Sequence, residues 1–212
     1  MKNRTFKLCV MVCGLLCSTL SQASEQLLTK FFDEVTTLRA QFNQQVVDET
    51  GYVLETSSGV FYLSRPGQFR WDYKSEDPDY ELGQQIVADG DSIFMYDPDL
   101  QQVTKRSLKD ALAQIPSLLL VQTGENVDVH FNVSDFGLID GLSWVGLKPK
   151  DENASYQQLM IGFLGEEINS ITLLDGLGNE TQLSLTVVRE NVDLDNNTFA
   201  FVPPDGADVL AE

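Results

Sequence analysis

Apolar positions at Leu27, Leu28, Phe31, Phe32, Val35 and Leu38 recur at helical spacing and predict an amphipathic helix over 25–39, with Ser24 as its N-cap. From Ala40 the period shortens to two, and alternation at Phe42, Gln44 and Val46 predicts a strand. Short strand candidates follow at Tyr52–Ser57, Gly59–Ser64, Phe69–Lys74, Gln84–Asp89, Ser92–Asp97 and Gln101–Ser107. The residues between them are turn formers: Thr50-Gly51, then Arg65 to Gln68, Ala88 to Asp91, and Asp97 to Leu100.

The alternation then breaks. Residues 107–125 read as helix interrupted at Pro116, with Ser107 as a cap and Leu108, Ala111 and Leu112 along one face. A second piece opens at Pro116 and stops at Gly124, the usual asymmetry of a short helix. Strands resume at Val127–Val133, Gly141–Pro149, Tyr156–Phe163, Glu167–Asp175, Glu180–Arg189 and Ala200–Val202. Hairpin turns are expected at Leu164–Glu167 and Asp175–Asn179.

The element order implies a mainly β, α+β fold of about a dozen antiparallel strands with a leading helix and an interrupted helical insert. A sheet of that size must curl or close to manage its edges and its apolar face. The helices then pack on the concave face or across an open barrel mouth.

The first residues change the accounting. Lys2, Arg4 and Lys7 precede an apolar run from Leu8 to Leu20, and Ser21 and Ala23 are small residues at the positions a signal peptidase reads. That run is too short for a membrane span. Residues 1–23 therefore read as a cleaved secretory signal peptide, and 24–212 as a single domain. Cys9, Cys13 and Cys17 all lie in the signal, and neither Cys13 nor Cys17 follows a small residue. The expected product is soluble, carries no lipid anchor and has no thiol or disulfide. Removing Lys2, Arg4 and Lys7 leaves 11 basic against 32 acidic residues, a net charge of −21. Such a chain is unsuited to nucleic acid or anionic lipid surfaces.

Catalytic chemistry finds little support. His130 is the sole histidine and falls opposite Val127, Val129, Phe131 and Val133, on the solvent side of its expected strand. No nucleophile turn accompanies it. Asp193, Asp195 and Asn197 resemble the start of a calcium loop, but Thr198 and Pro204 stand where glycine and glutamate are needed, so the segment reads as a turn. No phosphate-cradling loop or dinucleotide fingerprint occurs. The chain is read as a non-enzyme without cofactor or metal.

The stretch from Leu63 to Tyr73 stands out, because it places two of the few cations, Arg65 and Arg70, among aromatics. Alternation sends Phe69, Trp71 and Tyr73 to one face, joined by Phe61 and Leu63, and sends Arg70 and Asp72 to the other. By itself such a stripe suits a barrel core before it suits a ligand cavity.

The blocks Gly59–Tyr73, Ile86–Arg106, Ile115–Leu120 and Phe199–Leu210, in this order and spacing, resemble the periplasmic outer-membrane lipoprotein carriers of the LolA family. The resemblance implies an unclosed, strongly curved antiparallel β-barrel whose mouth is covered by a helical lid. It implies a periplasmic monomer that takes acylated lipoproteins from an inner-membrane complex, LolCDE, shields their acyl chains, and passes them to an outer-membrane receptor, LolB. Arg65 matches the family arginine that reaches across the cavity to lid carbonyls, which here would lie near Phe32, Leu120 and Val121. Phe69 and Trp71 match aromatic cavity positions, with Phe61, Leu63 and Tyr73 beside them. Phe32, Val35, Leu118 and Leu119 are the candidates for the lid's apolar face. Arg70 is assigned to the outer face, paired with a neighbouring acid. The rival reading is a periplasmic sensor domain that uses the same half-barrel to regulate a protein partner.

Overall fold

The computed structural model describes residues 23–77, 82–111, 120, 127–195 and 197–211. The first half consists of helix α1 (Ala23–Glu34), strands β1 (Thr37–Val47), β2 (Val53–Ser64), β3 (Gln68–Lys74), β4 (Leu82–Asp89), β5 (Ser92–Asp97) and β6 (Gln102–Ser107), and the short helix α2 (Leu108–Ala111). The second half comprises α3 (Val127–His130), β7 (Phe131–Ile139), β8 (Leu142–Pro149), β9 (Tyr156–Leu164), β10 (Glu167–Asp175), β11 (Glu180–Glu190) and β12 (Asp208–Ala211).

The twelve strands of the described residues form one unclosed, curved sheet in the order β12-β6-β5-β4-β3-β2-β1-β11-β10-β9-β8-β7. Strand β1 is the seam. It pairs with β2 on one side and β11 on the other, and so joins two meanders of consecutive hairpins. Every pairing is antiparallel except β12 with β6, which is parallel. Inward residues from both meanders, among them Phe42, Leu63, Phe69, Ile161 and Phe163, form one buried core on the concave face.

The strands form where alternation is clean. In β9, Leu159, Ile161 and Phe163 are buried and face the core. The turns use the expected chemistry: Asp89 Oδ1 accepts from the backbone N–H of Asp91 and Ser92, and Asp97 Oδ1 from those of Asp99 and Leu100. The β2–β3 turn has a cis Arg65–Pro66 bond, and Gly67 takes a left-handed φ of 79°.

Several expectations are corrected. The first helix ends at Glu34, not residue 39, and Leu38 is a buried strand residue. Val35, Thr36 and Thr37 are β-branched and lead into β1, which gains two pairing partners that a longer helix would forfeit. Ser24 lies inside the first helical turn instead of capping it. The break expected at Ser58 is absent, and β2 runs on through Gly59. A Cβ there would sit 2.8 Å from the Phe42 ring and 2.0 Å from the Asp72 carbonyl oxygen, so this glycine marks a close approach and not a turn.

Residues 127–130 are helical and not strand, because the ladder with β8 begins only at Phe131 opposite Pro149. His130 is solvent-exposed as expected, but so is Val129, which alternation had placed on the opposite face. Finally, Ala200–Val202 is not a strand. Pro203 and Pro204 cannot donate to a ladder, and the last strand is Asp208–Ala211 instead. Of the helical insert, α2 and Leu120 are described; Leu112, Pro116, Leu118, Leu119 and Val121 lie outside the described residues, as does the signal segment 1–22.

Candidate functional site

Between the two meanders the concave face leaves a cavity of about 220 Å³. One wall is Phe69, Trp71 and Tyr73 of β3, and the opposite wall is Leu159, Ile171 and Leu183. Leu120 closes it, with only 2 % of its surface exposed. The polar groups are few: Gln44, Thr181 and the Tyr73 hydroxyl, which donates to Gln44 Oε1 at 3.4 Å. Burial pushes the Tyr73 phenol up to about 12, with the Glu55 charge adding to it, so the hydroxyl stays neutral. The Trp71 Nε1–H is buried and has no hydrogen-bond partner among the described residues.

The aromatic stripe is ordered by its own contacts. Phe42 meets Trp71 edge-on at 5.5 Å and Tyr73 at 5.2 Å, and Phe61 lies 4.5 Å from Trp71. Phe61 and Leu63 are buried in the core behind this wall, while Phe69, Trp71 and Tyr73 reach the cavity itself.

Arg65 leaves the end of β2 on the same face and reaches under α1. Its Nη1 donates to the Phe31 carbonyl at 3.1 Å and to the Val35 carbonyl, and its Nε donates to the Leu120 carbonyl at 3.1 Å. The acceptors at the end of α1 are therefore Phe31 and Val35, which flank the expected position near Phe32; the Phe31 carbonyl also accepts from the Val35 backbone N–H at 3.3 Å, so the guanidinium shares it with the last helical turn. The Phe31 and Phe32 rings flank the cation at 4.5 and 5.1 Å. Burial lowers the Arg65 pKa to about 10 and the Glu190 charge opposes the shift, so the group is charged near neutral pH. Its Nη2 is buried without a partner among the described residues.

Phe32 of α1 and Val35, just past its end, are buried, and Phe31 contacts Phe163 edge-on at 6.2 Å. The α1–β1 link is also held from the β11 side, by Asn191 in a left-handed conformation with φ of 53°. Its Oδ1 accepts from Thr36 N at 2.9 Å, its Nδ2 donates to the Glu34 carbonyl at 3.1 Å, and its own N donates to the Thr37 carbonyl at 2.8 Å. Lys30 pairs with Glu166 of the β9–β10 hairpin, which ties the outer side of α1 to the far meander.

Sequence reasoning found one wall of the cavity and missed the other. Leu159, Ile171 and Leu183 alternate as cleanly as the β3 residues do, but nothing local says that they face β3. Asn191 was missed too. Asparagine at a left-handed position after a strand is its one local signal.

On the convex face Arg70 donates from Nε to both Asp72 carboxylate oxygens at 2.8 Å, and from Nη1 to the Thr198 carbonyl at 3.4 Å. The acid pairing is as expected, but the surroundings are not open solvent. The segment after Asn197 crosses here, burying Phe199 and stacking Phe201 on Phe94 at 5.3 Å.

A family model described as outer membrane lipoprotein carrier protein LolA matches residues 33–202. The chain is 38% identical over 186 residues to an outer-membrane lipoprotein carrier protein of Methylococcus capsulatus, with 87% of this chain and 86% of the relative covered. It is 36% identical to one of Nitrosospira multiformis, with 97% of this chain and 98% of the relative covered. Among solved structures, an uncharacterized conserved protein from Thermus thermophilus superposes with a TM-score of 0.55 at 11% identity, over 90% of this chain and 100% of that one; this likeness speaks to fold alone.

Proposed function

Because the chain belongs to the LolA family of outer membrane lipoprotein carrier proteins, we propose that the cavity between the meanders shields lipoprotein acyl chains during transfer and that Arg65 latches its cover. The protein is a lipoprotein carrier. Its compartment is read as the periplasm, entered through the signal peptide at 1–23. LolCDE is the expected donor and LolB the expected acceptor.

The physical need is plain. Each exposed methylene costs about 0.8 kcal/mol, so a fatty chain of ordinary length costs roughly ten kcal/mol or more in water. Unassisted crossing of an aqueous space is negligible at that cost. A carrier must be apolar inside and highly soluble outside, which suits an acidic chain around an aromatic wall. It has no need of a nucleotide of its own if the donor complex supplies the energy.

The observation that carries the reading is the grip of Arg65 on Leu120, which lines an undersized apolar cavity. At about 220 Å³ the space falls below the roughly 300–1,000 Å³ usual for small-ligand pockets. Cargo therefore enters only if Leu120 and α1 give way. The restraint suits that task, since it consists of hydrogen bonds from a cation to neutral carbonyls, about 1.5–3 kcal/mol each. Closure then competes with cargo, so the carrier binds without becoming a trap.

The direct test uses inner-membrane vesicles carrying a matched LolCDE complex and a triacylated lipoprotein. Added purified chain is expected to bring the lipoprotein into the soluble fraction, and vesicles bearing LolB are expected to remove it again. Lipoprotein that stays with the donor membrane in the presence of chain and ATP would overturn the carrier reading.

A further inference from the structure

Two buried side-chain atoms beneath the α1–β1 link have no partner among the described residues, and their chemistry is complementary: the Arg65 Nη2 donor and the Glu190 Oε1 acceptor. Buried polar groups in folded chains nearly always find partners, so an orphaned donor beside an orphaned acceptor asks for an explanation.

The sheet brings the two residues together. Arg65 N donates to the Thr36 carbonyl at 2.8 Å on one side of the β1 start, and Asn191, next after Glu190, donates to the Thr37 carbonyl at 2.8 Å on the other. One strand thus separates them, about 9–10 Å between backbones at ordinary strand spacing. Long side chains reaching from opposite sides can close that gap. Both lie on the concave face. Glu190 pairs with Leu38, whose side chain is buried in the core, and cross-strand pairs share a face. Arg65 lies against the underside of α1.

In the closed arrangement no ion pair joins them, because the guanidinium is spent on the carbonyls of Phe31, Val35 and Leu120. Glu190 is left poorly compensated. Burial raises its pKa, the Glu167 charge adds to the rise, and Lys30 and Arg65 only partly oppose it. Lys30 from α1 is itself engaged by Glu166 and Glu34. A carboxylate also offers the cation an opposite charge and two oxygens for a bidentate pair, which a neutral carbonyl does not.

We propose that Glu190 is the second acceptor for Arg65: when α1 and Leu120 withdraw from the cavity, the guanidinium leaves their carbonyls and pairs with the Glu190 carboxylate. Opening then exchanges bonds to neutral acceptors for an ion pair. Glu190 is a positioning residue that sets the balance between the closed and cargo-accepting arrangements. The inference rests on the carrier reading and adds a residue to it.

The test is a double-mutant cycle on the purified carrier, read by its affinity for a synthetic tripalmitoylated cysteinyl peptide. Glu190→Gln is expected to weaken binding about tenfold in the wild-type background and to have no effect in the Arg65→Leu background. Glu190→Asp, which keeps the charge, is expected to recover part of the loss. Without any peptide, Glu190→Gln should also slow hydrogen exchange of the α1 amides, again only where Arg65 is present. Unchanged binding in Glu190→Gln, or the same loss in both backgrounds, overturns the proposal. A wild-type chain that binds no acylated peptide would sink the carrier reading instead, while Arg65-dependent exchange in α1 would still report the two-position arginine.

Discussion

Arg65 and Arg70 come from the same short stretch, and the sheet turns them to opposite faces. On the concave side Arg65 sits beside a cavity of about 220 Å³ and holds three backbone carbonyls, none of them charged. On the convex side Arg70 is paired with Asp72, with side-chain exposures of 19% and 13%, under a C-terminal segment that packs against the sheet. There Val87 and Val103 are fully buried, Phe199 is nearly so, and Phe201 lies on Phe94. One face of the sheet is thus packed by its own chain, while the other keeps room and a releasable restraint. The difference lies in the partner. Asp72 holds the Arg70 guanidinium through both carboxylate oxygens, whereas the neutral carbonyls on a short helix and at Leu120 can be exchanged for another acceptor.

The strongest way to break the comparison is to put a charge in the cavity wall. Phe69→Glu places a carboxylate where the side chain is 2% exposed. Acyl-peptide binding is expected to fall below detection, and stability by about 3–5 kcal/mol, since the buried charge has no partner. A retained β-rich circular dichroism spectrum separates lost binding from lost fold, and normal binding would show that Phe69 is ordinary core.

The next effect concerns delivery. Arg65→Leu removes the closed arrangement that competes with cargo. The variant is expected to fold and take up lipoprotein, yet to pass it to receptor vesicles at least about tenfold more slowly. Delivery at the wild-type rate would remove the latch. Arg70→Leu is the matched control on the convex face. It leaves Asp72 partly buried and unpaired, so thermal unfolding should show a loss of about 1–3 kcal/mol, between the exposed and buried limits for ion pairs. Delivery should be unchanged in the fraction that is folded. Any delivery defect beyond the folded fraction would mean that the two faces are coupled. The smallest effect is expected for Phe201→Ala, which removes a ring contact worth about 0.5–1.5 kcal/mol beyond its buried area. Faster hydrogen exchange confined to Asp208–Ala211 would locate that loss in the C-terminal strap.

Much of the sheet was legible because alternation and turn chemistry are local signals. Phe69–Lys74, Ser92–Asp97 and Glu167–Asp175 all fall within strands of nearly the same bounds. The misreadings share a cause. Leu38 fitted the helical period of the preceding residues, but pairing on both sides of β1 outweighed that propensity. The strand candidates were parted at Ser58, although β2 runs on through Gly59, where the Phe42 ring needs the space. Strand β5 carries apolar residues on both faces, Ile93 inward and Phe94 and Tyr96 outward, which is the local trace of a sheet covered on both sides. The sequence reading used only the inner face and so left Arg70 in solvent.

The site divides in the same way. Arg65, Phe69 and Trp71 could be singled out along the chain, since cations are scarce and the aromatic alternation is regular. Leu159, Ile171 and Leu183 could not be set opposite them, and Glu190 could not be set beside Arg65, because those meetings depend on strands far apart in sequence. Periodicity, turn residues and charge are properties of neighbouring positions, so the linear chain determined the strands, the hairpins and the acidic exterior. Which hairpins close on one another, where the sheet stays open, and which distant side chains meet beside β1 were decided by the order β2-β1-β11 at the seam. Only tertiary structure sets that order, since it follows from burying two apolar faces at once.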